Sequence, residues 1–147
     1  MSISVKGRPE KAPKEKAEIL LRAALSKKAL NPVLIRLTGL TTVADYFLIV
    51  SATSGRHVKA VADAVLMDAR KHRMARFSAE GIQEGNWALL DYGDVVVHIF
   101  RKPVREFYDL EGLWIEAPRE VFSGDLLKEI EAAAEGAEEE DADSLEL

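Results

Sequence analysis

The chain has no cysteine, and this alone excludes structural disulfides, thiolate zinc sites and cysteine nucleophiles. Long apolar runs are also missing: Tyr46 to Val50 is the longest, against the roughly 20 residues that a membrane helix needs. The basic N-terminus is not followed by an apolar segment, so no secretory signal is expected and the protein is predicted to be cytoplasmic. No His-x-x-x-His pair occurs among His57, His72 and His98, which leaves a zinc centre without ligands. Gly-x-Ser-x-Gly and the P-loop pattern are absent as well, removing two large enzyme classes. No dense Lys/Arg stripe interleaves with aromatics. Binding through many phosphate contacts needs one, so little direct nucleic-acid contact is expected.

What is present suffices for one core. With 147 residues and 48% hydrophobic content, the chain suits one domain and is short for two. Its net charge of −5 conceals an asymmetry. After position 124, ten acidic residues face Lys128 alone, a local −9, while residues 1–124 carry +4. A basic protein is the better electrostatic match as a partner.

Residues 1–14 are polar, basic and broken by Gly7, Pro9 and Pro13, which predicts a flexible arm. From Glu15 the apolar positions Ala17, Leu20, Leu21, Ala24 and Leu25 fall at helical spacing, and Asn31-Pro32 stops the helix. Val33 to Leu37 reads as a strand. Tyr46 to Val50 reads as a second one, apolar on both faces and therefore central in a sheet. The next helix carries a stripe of Val58, Val61, Ala62, Val65, Leu66 and Ala69. Ala75 to Glu80 predicts a short strand, Gly81 to Asn86 a loop, and Trp87 to Phe100 a β-hairpin. Pro103 suits the first turn of a short helix running to about Leu113. The expected organisation is a domain over 15–116, a helical extension over 117–135 that starts near Ser123, and a disordered acidic tail over 136–147. The element order predicts an α/β fold with a single mixed β-sheet and the two main helices on one face.

The stretch from Trp87 to Trp114 holds both tryptophans and two of the three tyrosines. Alternation along the hairpin divides its residues into two sets. Trp87, Leu89 and Asp91 share a face with Val96, His98 and Phe100, whether the loop is Gly93-Asp94 or Tyr92-Gly93. Ala88, Leu90, Tyr92, Val95, Val97 and Ile99 share the other face, which is apolar and needs a core. The first face mixes a tryptophan, an aspartate and a histidine with aliphatics, and suits a sheet surface that meets a partner. His98 reads as a surface or hydrogen-bonded strand residue.

Two features bear on catalysis. Thr53-Ser54-Gly55 at a helix N-terminus could hold a phosphate, against the simpler reading that Thr53 or Ser54 caps the helix. Asp91 and Asp94 could hold a metal, but two residues separate them, whereas strand aspartates need alternate positions to project together. Asp94 is more simply a turn former.

Ala44-Asp45-Tyr46-Phe47, Thr53-Ser54 with Arg56-His57-Val58, Glu80-Gly81, Trp87, Asp91 to His98, and Arg105 to Glu111 with Leu113-Trp114 follow in an order and spacing that resemble the ribosomal silencing factor family, also called Iojap-like proteins. The match runs from about Glu15 to Trp114. The resemblance implies a fold similar to nucleotidyltransferases without their activity; the Gly-Ser and Asp-x-Asp signature of those enzymes is absent here. It implies binding to the large ribosomal subunit through its protein fourteen, and steric obstruction of small-subunit joining when nutrients are scarce, with no cofactor or metal. The family's binding surface carries over to Trp87, Leu89, Tyr92 and Tyr108, with Leu110 and Leu113 as neighbours. Asp91 and Asp94, with Glu106, Asp109 and Glu111, are then expected to form an acidic rim, and Phe107 and Trp114 to close the edge of the core. Tyr92 falls on the apolar face by strict alternation, so its exposure requires Tyr92-Gly93 as the loop. Two other readings stand beside this one: a cryptic nucleotidyltransferase using Ser54 and Asp91 or Asp94, and an adaptor for large-subunit assembly. Homodimerisation stays open.

Overall fold

Pro13 stands in the first turn of α1 (Pro13–Ser26), where its missing N–H is no loss and its fixed φ suits the helix. The helix therefore starts two residues before Glu15, and its buried side is Ala17, Leu20, Leu21, Ala24 and Leu25, as their spacing predicts. It also ends earlier than Asn31-Pro32. Lys28 turns left-handed at φ 61, and the amides of Lys28 and Ala29 close back on the carbonyls of Leu25 and Ala24. The computed structural model describes residues 11–122 and 132. The expected helix from Ser123, the acidic tail and most of the N-terminal arm lie outside the described residues.

After α1 come β1 (Leu30–Arg36), β2 (Tyr46–Ala52), α2 (Gly55–Lys71), β3 (Ser78–Glu80), β4 (Trp87–Asp91) and β5 (Val95–Arg101). Then α3 (Lys102–Tyr108), α4 (Leu110–Leu113) and β6 (Arg119–Val121) follow. The six strands form one sheet in the order β3-β4-β5-β2-β1-β6. Only β2 and β5 pair in parallel, across the crossover through α2, so the sheet is mixed. As its apolar pattern requires, β2 lies in the middle.

Both faces of the sheet are covered. The α1 and α2 stripes close over Leu48, Val50, Leu90, Val97 and Ile99, which is the two-helix face read from the sequence. On the opposite face Ile35, Ile49, Val96 and Phe100 form a second, smaller core, with Val104, Leu110 and Trp114 packed against it from α3 and α4. The sheet also continues past residue 116. Arg119–Val121 pairs antiparallel with β1. Among the described residues no helix is long and apolar enough to cross a membrane.

Candidate functional site

The hairpin register settles where its side chains point. Trp87 pairs with Phe100, Leu89 with His98 and Asp91 with Val96, and the Tyr92 amide donates to the Val95 carbonyl at 2.9 Å. Gly93-Asp94 is thus the two-residue turn, with Gly93 at φ 86, a conformation that glycine adopts without strain. The alternative loop that would have exposed Tyr92 does not form. Tyr92 lies on the helix side, 2% exposed, and is corrected from a contact residue to a core residue. Burial raises its phenol pKa, with nearby Arg76 acting in the opposite sense.

The two turn aspartates are also occupied within the fold. Asp91 Oδ1 accepts the Gly93 amide at 2.8 Å, an Asx-type closure of the turn. Asp94 Oδ1 accepts from Lys16 Nζ of α1 at 2.9 Å, which draws Asp94 toward the helix side and away from Trp87. Its carbonyl accepts from the amides of Asp45 and Tyr46. Neither arrangement resembles a metal pair, and no cluster of three metal-ligating side chains occurs among the described residues.

The mixed face of the hairpin is less open than its composition predicts. The indole of Trp87 stacks on Phe100 at 4.7 Å and meets Tyr108 of α3 at 5.1 Å, and its Nε1 donates to His98 Nδ1 at 3.1 Å. His98 is hydrogen-bonded as expected, but it is not on the surface. It is 3% exposed, with the ring of Phe47 at 4.6 Å. Burial lowers its pKa to about 4, because the charged form would lose its hydration. The rings of Phe47 and Trp87 cover His98, and α3 and α4, which pack on the same face, are held down by Arg105, a motif residue to which the sequence assigned no structural role. Arg105 pairs through Nε with Glu111 at 2.8 Å, and its Nη1 donates to the Asn31 carbonyl at 2.8 Å and to Ser51 Oγ at 2.9 Å. The Arg105 to Glu111 spacing fits no single helix face, since Asp109 turns left-handed at φ 44 between α3 and α4.

What stays exposed beside this cover is apolar. Phe107 is 81% exposed, Leu113 75% and Tyr108 53%. Trp87, Leu89 and Leu110 are half-buried beneath them. Phe107 therefore does not close the core as expected: Val104 is the α3 side chain packed against the core, and Phe107 stands outward against the edge of Tyr108 at 5.1 Å. Trp114 does close it, meeting Phe47 edge-on at 6.3 Å. A groove of about 350 Å³ runs between Asn86, Trp87, Arg101, Val104, Phe107 and Tyr108. Of the expected acidic rim, Glu106 and Asp109 are exposed, while Glu111 is engaged by Arg105.

The groups proposed for phosphate and magnesium are not brought together. Ser54 caps α2, its Oγ accepting the His57 amide at 3.1 Å. It follows Ala52, whose strand partner is Arg101, whereas Asp91 and Asp94 flank the other end of β5, where Tyr46 faces Val95. Six strand residues separate the two ends, about 20 Å at the usual rise.

A family model described as ribosomal silencing factor during starvation matches residues 9–146. A Bacillus subtilis protein named ribosomal silencing factor RsfS is 39% identical over 101 residues, covering 69% of this chain and 86% of the relative. The protein of that name from Halalkalibacterium halodurans is 36% identical over 104 residues, 71% of this chain and 89% of the relative. A crystal structure of a Chromobacterium violaceum protein superposes with a TM-score of 0.70 at 30% identity, covering 71% of this chain and 87% of that one. With nearly the whole sequence matched by the family model, the chain belongs to the ribosomal silencing factor family.

Proposed function

We propose that this protein binds the large ribosomal subunit through ribosomal protein fourteen and obstructs joining of the small subunit, repressing translation when nutrients are limiting. The observation that carries the reading is the apolar surface made by exposed Phe107, Tyr108 and Leu113 with half-buried Trp87, Leu89 and Leu110, beside a secured core. Aromatic anchors next to a groove usually provide most of the energy of a protein interface. Exposed Glu106 and Asp109 flank them and would act on the encounter rate with a basic ribosomal protein more than on affinity. Obstruction needs no chemistry. A domain of this size has a radius of gyration of about 13 Å, enough to keep two subunit faces apart when bound between them.

The test has two parts. Purified protein is expected to cosediment with large subunits and to retain ribosomal protein fourteen on an affinity column. Added to separated subunits, it is expected to lower the fraction that joins. Retention of a different ribosomal protein, or unchanged joining at saturating protein, would defeat the proposal.

A further inference from the structure

The last turn of α2 and the residues after it place Arg70, Lys71, His72, Arg73 and Arg76 within seven positions. All five are exposed, and Asp68 is their nearest acidic neighbour in sequence. The sequence has no dense Lys/Arg stripe interleaved with aromatics, yet the fold adds Lys11 to this cluster, its Nζ donating to the His72 carbonyl at 2.9 Å. Among the described residues the ion pairs are Lys14–Glu120, Lys16–Asp94 and Arg105–Glu111, so none neutralises the cluster. Arg70, Arg73 and Arg76 line a cavity of about 420 Å³ that Tyr92 also lines. The Tyr92 hydroxyl is buried without a hydrogen-bond partner. Three guanidinium groups and an unused phenol donor around one cavity suit a carboxylate ligand.

The chain carries such a ligand on its own sequence. It leaves β6 at Phe122, which packs on the helix-side core, and Glu120 just before pairs with Lys14 Nζ at 2.6 Å. Lys14 is three residues from Lys11, and Lys11 touches the end of α2. The N-terminus of α1 therefore links the point where the chain leaves the sheet to the arginine cluster by a path of cations. Beyond residue 124 the sequence holds ten acidic residues. From residue 122 to Glu138 the chain can reach about 24 Å even if wholly helical and about 53 Å if extended, against about 21 Å for the length of α1.

We propose that the acidic segment after residue 124 docks on its own domain, over Lys11 and the Arg70 to Arg76 cluster. Tethering raises the local concentration of its carboxylates to roughly the millimolar range, so weak contacts suffice. The carbonyl end of α2 favours cations rather than anions, so the attraction rests on the side chains and is screened by salt. Docked there, the segment covers a cationic surface that would otherwise attract RNA phosphates, away from the Trp87 surface.

The test uses the full chain and a variant carrying Glu138→Gln, Glu139→Gln, Glu140→Gln and Asp141→Asn. Carbodiimide cross-linking of the wild type is expected to join Lys11 or Lys71 to tail carboxylates within a single copy, and high salt to suppress it. Amide resonances of residues 70–76 are expected to shift in the neutralised variant, which should also bind a polyuridine oligonucleotide at least about 5-fold more tightly than wild type. Links found only between copies, or resonances at 70–76 indifferent to the tail, would overturn the proposal. Equal RNA affinity of the two proteins, with RNA shifting residues 70–76 in both, would make the cluster an RNA surface instead. None of these readouts depends on ribosome binding.

Discussion

The indole Nε1 of Trp87 donates to Nδ1 of His98 at 3.1 Å, which places the proton of neutral His98 on Nε2 and ties the central anchor of the proposed contact surface to a buried base. A protonated His98 would turn a second N–H toward the indole N–H and the bond would be lost. Burial holds the pKa near 4, so the neutral form and the indole orientation persist well below neutral pH.

That depressed pKa makes stability depend on pH in a defined direction. The unfolded chain takes up the histidine proton near its ordinary value of 6.5, before the folded protein does. The contribution is therefore complete above pH 6.5 and declines as pH falls toward about 4, by at most about 3 kcal/mol. His98→Gln keeps an acceptor for the indole and cannot titrate. Urea unfolding midpoints of this variant are expected to fall less steeply between pH 6.5 and 4 than those of wild type. Identical slopes would remove His98 as the source.

Trp87→Ala is expected to weaken large-subunit binding by about 2 kcal/mol, roughly 30-fold. The sequence alone suggests that this change leaves folding untouched, but the indole also stacks on Phe100 and satisfies His98. A loss of about 1 to 3 kcal/mol in stability should accompany it. Tyr108→Ala, at a side chain more than half exposed, is the cleaner probe, expected to weaken binding with less than about 1 kcal/mol of destabilisation. Cosedimentation of both variants at wild-type levels would show that the contact surface lies elsewhere.

Strong periodic signals carried the legible part of the fold. The α2 stripe and the doubly apolar β2 each stated one structure, and hairpin parity assigned Trp87, Leu89, Leu90, Val95 and Val97 to their faces. Gly93 selected the turn because a positive φ was needed there. Parity also placed Tyr92 in the core, and only the binding surface implied by the family resemblance argued otherwise. What stayed hidden lies in elements too short for a period to show. Arg119-Glu120-Val121 becomes a strand only because β1 offers it an edge. Val104 and Leu110 pack on the second core through two helices of seven and four residues, and neither resolves an inward side on its own sequence. His98 looked like a surface residue because its cover was not yet in view.

Asp94→Asn separates the fold from the contact surface. Lys16 is 9% exposed, and removing its partner leaves an ammonium group in a poorly hydrated place, at a cost of about 2 kcal/mol for a pair that is partly rather than fully buried. Since Asp94 faces α1, the folded variant is expected to bind large subunits like wild type. A denaturation curve gives the first quantity, and cosedimentation at a temperature where the variant is folded gives the second. Wild-type stability combined with weakened binding would return Asp94 to the acidic rim.

Gly81 fixes the entry of the chain into β4. Its φ is 80, and a Cβ there would collide with the carbonyl oxygen of Trp87, a backbone atom that cannot swing away. Gly39 has a similar φ of 84 with nothing near the position of a Cβ. The pair isolates steric clash from conformational strain. Gly39→Ala is expected to cost about 1 kcal/mol, the price of a left-handed alanine. Gly81→Ala should cost that and the displacement of Trp87, about 3 kcal/mol in total, and should lower subunit binding because the indole moves with its backbone. Equal unfolding midpoints for the two variants would mean that the loop from Gly81 to Asn86 yields without moving Trp87.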